Sequence, residues 1–122
     1  MTQQQFIIWL EKLKEIWETG TPDGVVSLCA DQFIWHETPF NEPLVTKEEL
    51  IRDWRGILDQ KDIKISYQIL DIKDNIGIAK WHATFSRLSS KEEVELDGIF
   101  QVSLDKQGQC VEFHQWYNSK EQ

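Results

Sequence analysis

Val94-Glu95-Leu96-Asp97-Gly98-Ile99-Phe100-Gln101-Val102-Ser103-Leu104, then Asp105-Lys106-Gln107-Gly108, then the run from Gln109 to Asn118: this stretch decides the fold. Leu96, Gly98, Phe100, Val102 and Leu104 alternate with Glu95, Asp97, Gln101 and Ser103, and only Ile99 interrupts the polarity of the second set. Strand side chains project to opposite faces with period two, so one face is core. Asp105 and Gly108 suit a turn, which makes the stretch a hairpin. If the turn pairs Leu104 with Gln109, Phe100 stands opposite Phe113 and Gly98 opposite Gln115, and Val111, Phe113, Gln115 and Tyr117 share the core face. That face is aromatic with a gap at Gly98, as suits a sheet curling around something.

Upstream of the hairpin, Ile63, Ile65, Tyr67 and Ile69 form one face of a strand, and Asp74-Asn75 turns it into a second strand from Ile76 to Arg87. A register centred between Ser90 and Lys91 pairs Trp81 with Phe100 and points Trp81, Ala83 and Phe85 inward. Nearer the N-terminus the period changes. Phe6, Trp9, Leu10, Leu13, Ile16 and Trp17 recur at three and four residues, the stripe of an amphipathic helix, which Gly20 and Thr21-Pro22 stop. A second helix is expected from Thr21 to near Ala30 with Val25, Val26, Leu28 and Cys29 as its apolar face, then a strand Phe33-Ile34-Trp35-His36 closed by Thr38-Pro39, then a loop from Asn41 to Val45. Thr46-Lys47-Glu48-Glu49 is a capping box opening a helix with the stripe Leu50, Ile51, Trp54, Ile57 and Leu58. The plan is α+β, with helices covering one face of a bent sheet.

A chain of 122 residues fits one domain, expected to span 1–122. No apolar run approaches the length of a membrane span, and Met1-Thr2-Gln3-Gln4-Gln5 lacks the basic start of a signal peptide, so a soluble, cytoplasmic protein without membrane partners is expected. The net charge is −8, with thirteen basic residues scattered among twenty-one acidic ones, which argues against nucleic acid as a partner. Cys29 and Cys110 have no CxxC spacing and read as buried reduced thiols. His36, His82 and His114 form no HxH or HExxH unit, so neither metal nor cofactor is expected.

The order of paired N-terminal helices, a strand leading to Thr38-Pro39-Phe40, a helix around Trp54, then Ala79-Lys80-Trp81, Asp97-Gly98-Ile99-Phe100 and the Asp105–Gly108 turn resembles the nuclear transport factor 2-like superfamily in its SnoaL-like branch. The resemblance covers nearly the whole chain. It implies a cone, or cystatin-like roll: a curved antiparallel (mixed) sheet wrapped around three N-terminal helices, leaving an apolar cavity open at one end. Members include isomerases, cyclases, epoxide hydrolases, ligand carriers and dimerising domains, so the fold does not settle function. By the same resemblance the general base of the steroid-isomerase relatives falls at Thr38, their proton-donating acid at Phe100 and their helix tyrosine near Leu13. None of these three is a group that titrates near neutral pH, which general acid–base work requires.

The leading expectation is therefore a cone that binds a small apolar or aromatic ligand, with Trp17, Thr38, Phe40, Trp54, Trp81, Phe100, Phe113, Gln115 and Tyr117 as candidate contacts. Alternatives are an isomerase, cyclase or hydrolase-like enzyme with His36 as base and Tyr117 or Gln115 polarising the substrate, and a non-catalytic assembly module. Glu37 reads as a solvated rim charge. On the outer face the expected register sets Thr84 opposite Asp97, Ile99 opposite His114 and Asp97 opposite Trp116. A fully solvated face has no need of Ile99 and Trp116, so a homodimer burying Ile99, His114 and Trp116, with His82 nearby, is expected.

Overall fold

The computed structural model describes residues 1–121. Helix α1 (Gln3–Thr19) starts at a capping box in which Thr2 Oγ1 accepts from the Gln5 amide (3.1 Å) and Gln5 Oε1 accepts from the Thr2 amide (2.9 Å). It stops at Gly20, whose φ of 68° is a conformation that glycine adopts without a Cβ penalty. All six stripe residues, from Phe6 to Trp17, are buried.

The expected second helix is a 3-10 segment, Pro22–Leu28, and Cys29 already belongs to strand β1 (Cys29–His36). Seven residues carrying a central Gly24 and the β-branched pair Val25-Val26 have little α propensity, and Thr21 makes no side-chain cap. Helix α2 (Lys47–Trp54) opens at the expected capping box, with Thr46 Oγ1 accepting from the Glu49 amide (3.2 Å) and Glu49 Oε1 accepting from the Thr46 amide (3.0 Å). From Arg55 to Asp59 the chain tightens into a 3-10 turn. Its phase therefore shifts: Ile57 is buried while Leu58, expected in the same stripe, is 56 % exposed.

Strands β2 (Gln60–Lys73), β3 (Ile76–Arg87), β4 (Glu93–Leu104) and β5 (Cys110–Glu121) form an antiparallel meander, and β1 adds parallel to β5, giving the order β1-β5-β4-β3-β2. The sheet is mixed and open. Register irregularities in β2, between β1 and β5, and near Cys110 break the ladder where local bends and extra twist arise.

Both hairpin registers differ from those expected by two residues. Leu104 pairs with Cys110, one step beyond Gln109, and Val111 is a bulge residue, so Phe100 faces Gln115 and Gly98 faces Tyr117. Trp81 faces Gly98 and Ala79 faces Phe100. A shift of two preserves the faces, which is why Trp81, Phe100, Phe113, Gln115 and Tyr117 still share the inner side. The bulge does exchange two neighbours: Cys110 is buried and Val111 is not. On the outer side the pairs become Thr84 with Glu95, His82 with Asp97, Ile99 with Trp116, Asp97 with Asn118 and Gln101 with His114. Gly98 is a close approach and no gap: a Cβ there would collide with the Trp116 carbonyl oxygen and lie 2.7 Å from Tyr117 Cβ and 3.0 Å from Trp81 Nε1.

The core lies between α1, α2 and the inner sheet face. Cys29 and Cys110, both buried free thiols, are register partners across β1 and β5.

Candidate functional site

A cavity of about 320 Å³ lies between the C-terminal half of α1, α2 and the inner faces of β3, β4 and β5. Its walls are mainly aromatic. Trp81 stacks on Phe100 (centroids 4.9 Å apart, 9° between planes) and Trp35 on Phe113 (3.8 Å, 15°). Trp54 stands edge-on to Trp17 (6.1 Å, 72°) and to Trp35 (6.3 Å, 74°), so ring edges meet the negative faces of their neighbours. Two of these indoles have acceptors: Trp17 Nε1 donates to Gln60 Oε1 (2.7 Å) and Trp35 Nε1 to Glu37 Oε2 (2.6 Å). Trp54 Nε1 and Trp81 Nε1 are buried without a hydrogen-bond partner among the described residues.

The polar centre is a pair of carboxyls. Glu37 follows β1 on the same side as Phe33 and Trp35, and part of its surface opens into the cavity while protein atoms surround the rest. Gln115 Nε2 donates to Glu37 Oε1 (2.7 Å) and to the Glu37 carbonyl oxygen (3.0 Å), fixing the end of β1 to β5. Asp53, from α2, shares a hydrogen bond with the Glu37 side chain. Burial and, next, the Asp53 charge push Glu37 up from 4.5 to about 8. Asp53 is raised by burial too, and the hydrogen bond from Glu37 opposes that rise. Two carboxyls that share a hydrogen bond do not readily both ionise, so at neutral pH the pair keeps one proton between them and carries one negative charge. Burial, Glu37 and Asp53 together raise the Tyr117 phenol in the same wall.

Of the expected ligand contacts, Trp17, Trp54, Trp81, Phe100, Phe113, Gln115 and Tyr117 line this cavity, as do Leu13 and Trp35. Thr38 and Phe40 are not in the wall, and Phe40 is 96 % exposed: once Gln115 holds Glu37 inward, Thr38-Pro39 carries the chain out and away. His36 is outside as well. Alternating with the inward Trp35, its ring lies on the outer face, stacked on His114 (4.2 Å, 9°), where burial first and then His114 lower its pKa against the pull of Glu112. The sheet separates His36 from the cavity, and the carboxyls that line the cavity are those of Glu37 and Asp53. Glu37 is no rim charge. Asp53 is not singled out by the sequence because it is an exposed helix acid, and its position just before the buried Trp54 is the available signal.

On the outer face, His82 reaches Asp97 Oδ2 (3.1 Å) and Glu95 Oε2 (3.1 Å), and His114 reaches Glu112 Oε2 (2.8 Å). Trp116 stacks on His114 (5.8 Å, 8°) and is 44 % exposed, and its register partner Ile99 is 38 % exposed.

The model of the SnoaL-like domain matches residues 10–113. The chain belongs to the SnoaL-like family. Among solved structures, this SnoaL-like fold is similar to a computationally designed 17-OHP binder (TM-score 0.80, 16 % identity, 95 % of this chain and 96 % of that one). It is also similar to RV0760c from Mycobacterium tuberculosis (TM-score 0.82, 12 % identity, 100 % and 99 %). No curated protein matches the sequence. Among the described residues, no group of three or more His, Cys, Asp or Glu is placed to hold a metal ion, and no helix is long and apolar enough to cross a membrane.

Proposed function

We propose that this SnoaL-like chain binds a small, largely apolar or aromatic ligand in the cone cavity. The observation that carries the reading is a cavity of about 320 Å³ walled by stacked aromatics with a few convergent polar groups. That volume falls within the range of small-molecule sites, roughly 300–1,000 Å³, and the composition matches theirs. The designed 17-OHP binder supports it, since a protein similar in fold to this chain is a binder of 17-OHP. Titration with 2-naphthol, followed by tryptophan emission, tests it: saturable quenching that weakens in Trp54→Ala is expected. A signal with no saturation up to about 1 mM would remove the reading, because affinities weaker than that are negligible.

The exposed Ile99 and Trp116, flanked by His82 and His114, support a second reading, a homodimer through the outer face. Sedimentation should show a dimer at micromolar concentration and a monomer for Trp116→Glu with Ile99→Lys. A monomeric wild type, or a dimeric double mutant, ends this idea.

A further inference from the structure

Among the described residues, no basic side chain pairs with the two carboxyls in the cavity wall. The groups that act on Glu37 are Asp53, Trp35 and Gln115, and Glu37 is the one side chain that acts on Asp53; no Lys, Arg or His is among them. Arg87 is the basic residue of the wall, and its guanidinium lies over the Phe85 ring, 5.6 Å from the centroid. The Trp35 indole and the Gln115 amide both donate to Glu37, so the Asp53 carboxyl, on an exposed residue at the cavity wall, has solvent as the other partner of its charge, and an organic cation in the cavity would take the place of that solvent. The rings of Trp17, Trp35, Trp54, Trp81 and Tyr117 line the same cavity. Aromatic faces attract organic cations, most strongly where water is displaced.

We infer that the cavity selects an organic cation, a small amine or quaternary ammonium on an aromatic or alicyclic body, with its charge set against Asp53 and Glu37 and its body among the tryptophans. This rests on the ligand-binding reading and specifies the ligand class. An anion would meet the Asp53 charge, and a hydrocarbon would bury that charge further without pairing it. The dyad also responds to what it binds. A cation favours release of the proton held between Glu37 and Asp53, so affinity for a permanently charged ligand rises with pH. The groups facing the pair are Asp53 from α2, Trp35 from β1, and Gln115 and Tyr117 from β5, with Arg87 of β3 elsewhere in the wall; α1 contributes the uncharged Leu13 and Trp17.

The test compares benzyltrimethylammonium with neopentylbenzene, which has the same shape and no charge, by tryptophan emission on the wild-type protein at about pH 6.5 and about pH 9, on either side of the pKa of Glu37. The cation should bind at least about tenfold tighter at the higher pH, and its preference should shrink at the lower pH, where the dyad keeps its proton. In folded Glu37→Gln and Asp53→Asn variants, checked by circular dichroism, the preference should fall toward unity. If the hydrocarbon binds as tightly as the cation at both pH values, the cation inference fails and the ligand-binding reading stands. If neither binds, and 2-naphthol does not, both fail. A cation preference untouched by the two substitutions overturns the role given to the dyad. The wild-type comparison needs no variant and decides the question even where a substitution prevents folding.

Discussion

On the outer face of the sheet His82 sits between Glu95 and Asp97 and His114 holds Glu112, whereas on the inner face Glu37 meets Asp53 with no base between them. The outer carboxylates are open to water, which screens them, and each has a histidine beside it as well. Among the described residues no base stands beside the inner pair, the cavity wall shields Glu37 from water more than Asp53, and the pair lowers its charge by keeping a proton. A carboxyl is thus paired with a histidine on the outer side of the sheet and with a second carboxyl on the inner side.

The largest effect that would sharpen this contrast comes from the rings. Trp81→Ala should cost about 3–5 kcal/mol in denaturant unfolding, the usual range for emptying a buried aromatic site, whereas Trp116→Ala, on the solvent side of the neighbouring strands, should change stability by about 0.5 kcal/mol or less in the monomer. Equal costs would mean that the two faces are not distinct in packing.

The next effect is electrostatic. The folded-state pKa of Glu37 lies above its ordinary value, so the folded protein holds a proton that the unfolded chain releases between 4.5 and about 8. Its contribution to stability is complete below 4.5 and is lost as pH rises through about 8. Chemical denaturation across this window should show stability falling with pH, and Glu37→Gln, which imitates the protonated form, should flatten the fall and be the more stable protein near pH 8.5 by on the order of 1–3 kcal/mol. An unchanged slope in the variant would place the proton elsewhere.

The smallest effect belongs to the outer face. Replacing His82 with Ala should cost roughly 0.2–1 kcal/mol at low ionic strength, and most of that cost should vanish in about 0.5 M salt, since exposed ion pairs are screened. A cost that persists in salt would show His82 packing as much as pairing.

Much of this architecture is legible in the residues. The capping boxes at Thr2 and Thr46, the α1 stripe and the period-two runs each follow from local rules, and parity alone places Trp81, Phe100 and Phe113 on one surface. The registers are not legible, because a one-residue difference in turn length and a bulge at Val111 leave no local signature. The carboxyl pair is hidden for a different reason. Glu37 and Asp53 are sixteen positions apart on elements whose mutual orientation depends on the whole core, and Glu37 lies past the end of its strand, where alternation no longer guarantees a direction. Its amide partner Gln115 is legible as a polar inward group of the last strand, but nothing local shows that it reaches Glu37.

The bulge at Val111 also has a bearing on how the length of this chain can vary. Two residues of β5, Cys110 and Val111, span a step that β4 makes in one, from Leu104 to Ser103. Deleting Val111 would leave Cys110 facing inward and Glu112 facing outward, so the strand would continue in phase. A one-residue deletion farther along, between Phe113 and Tyr117, would instead bring residues from the solvent side into the cavity wall. Val111 thus works as a phase adapter, the point in this hairpin where an odd change in length leaves the inside and the outside of the cone in place.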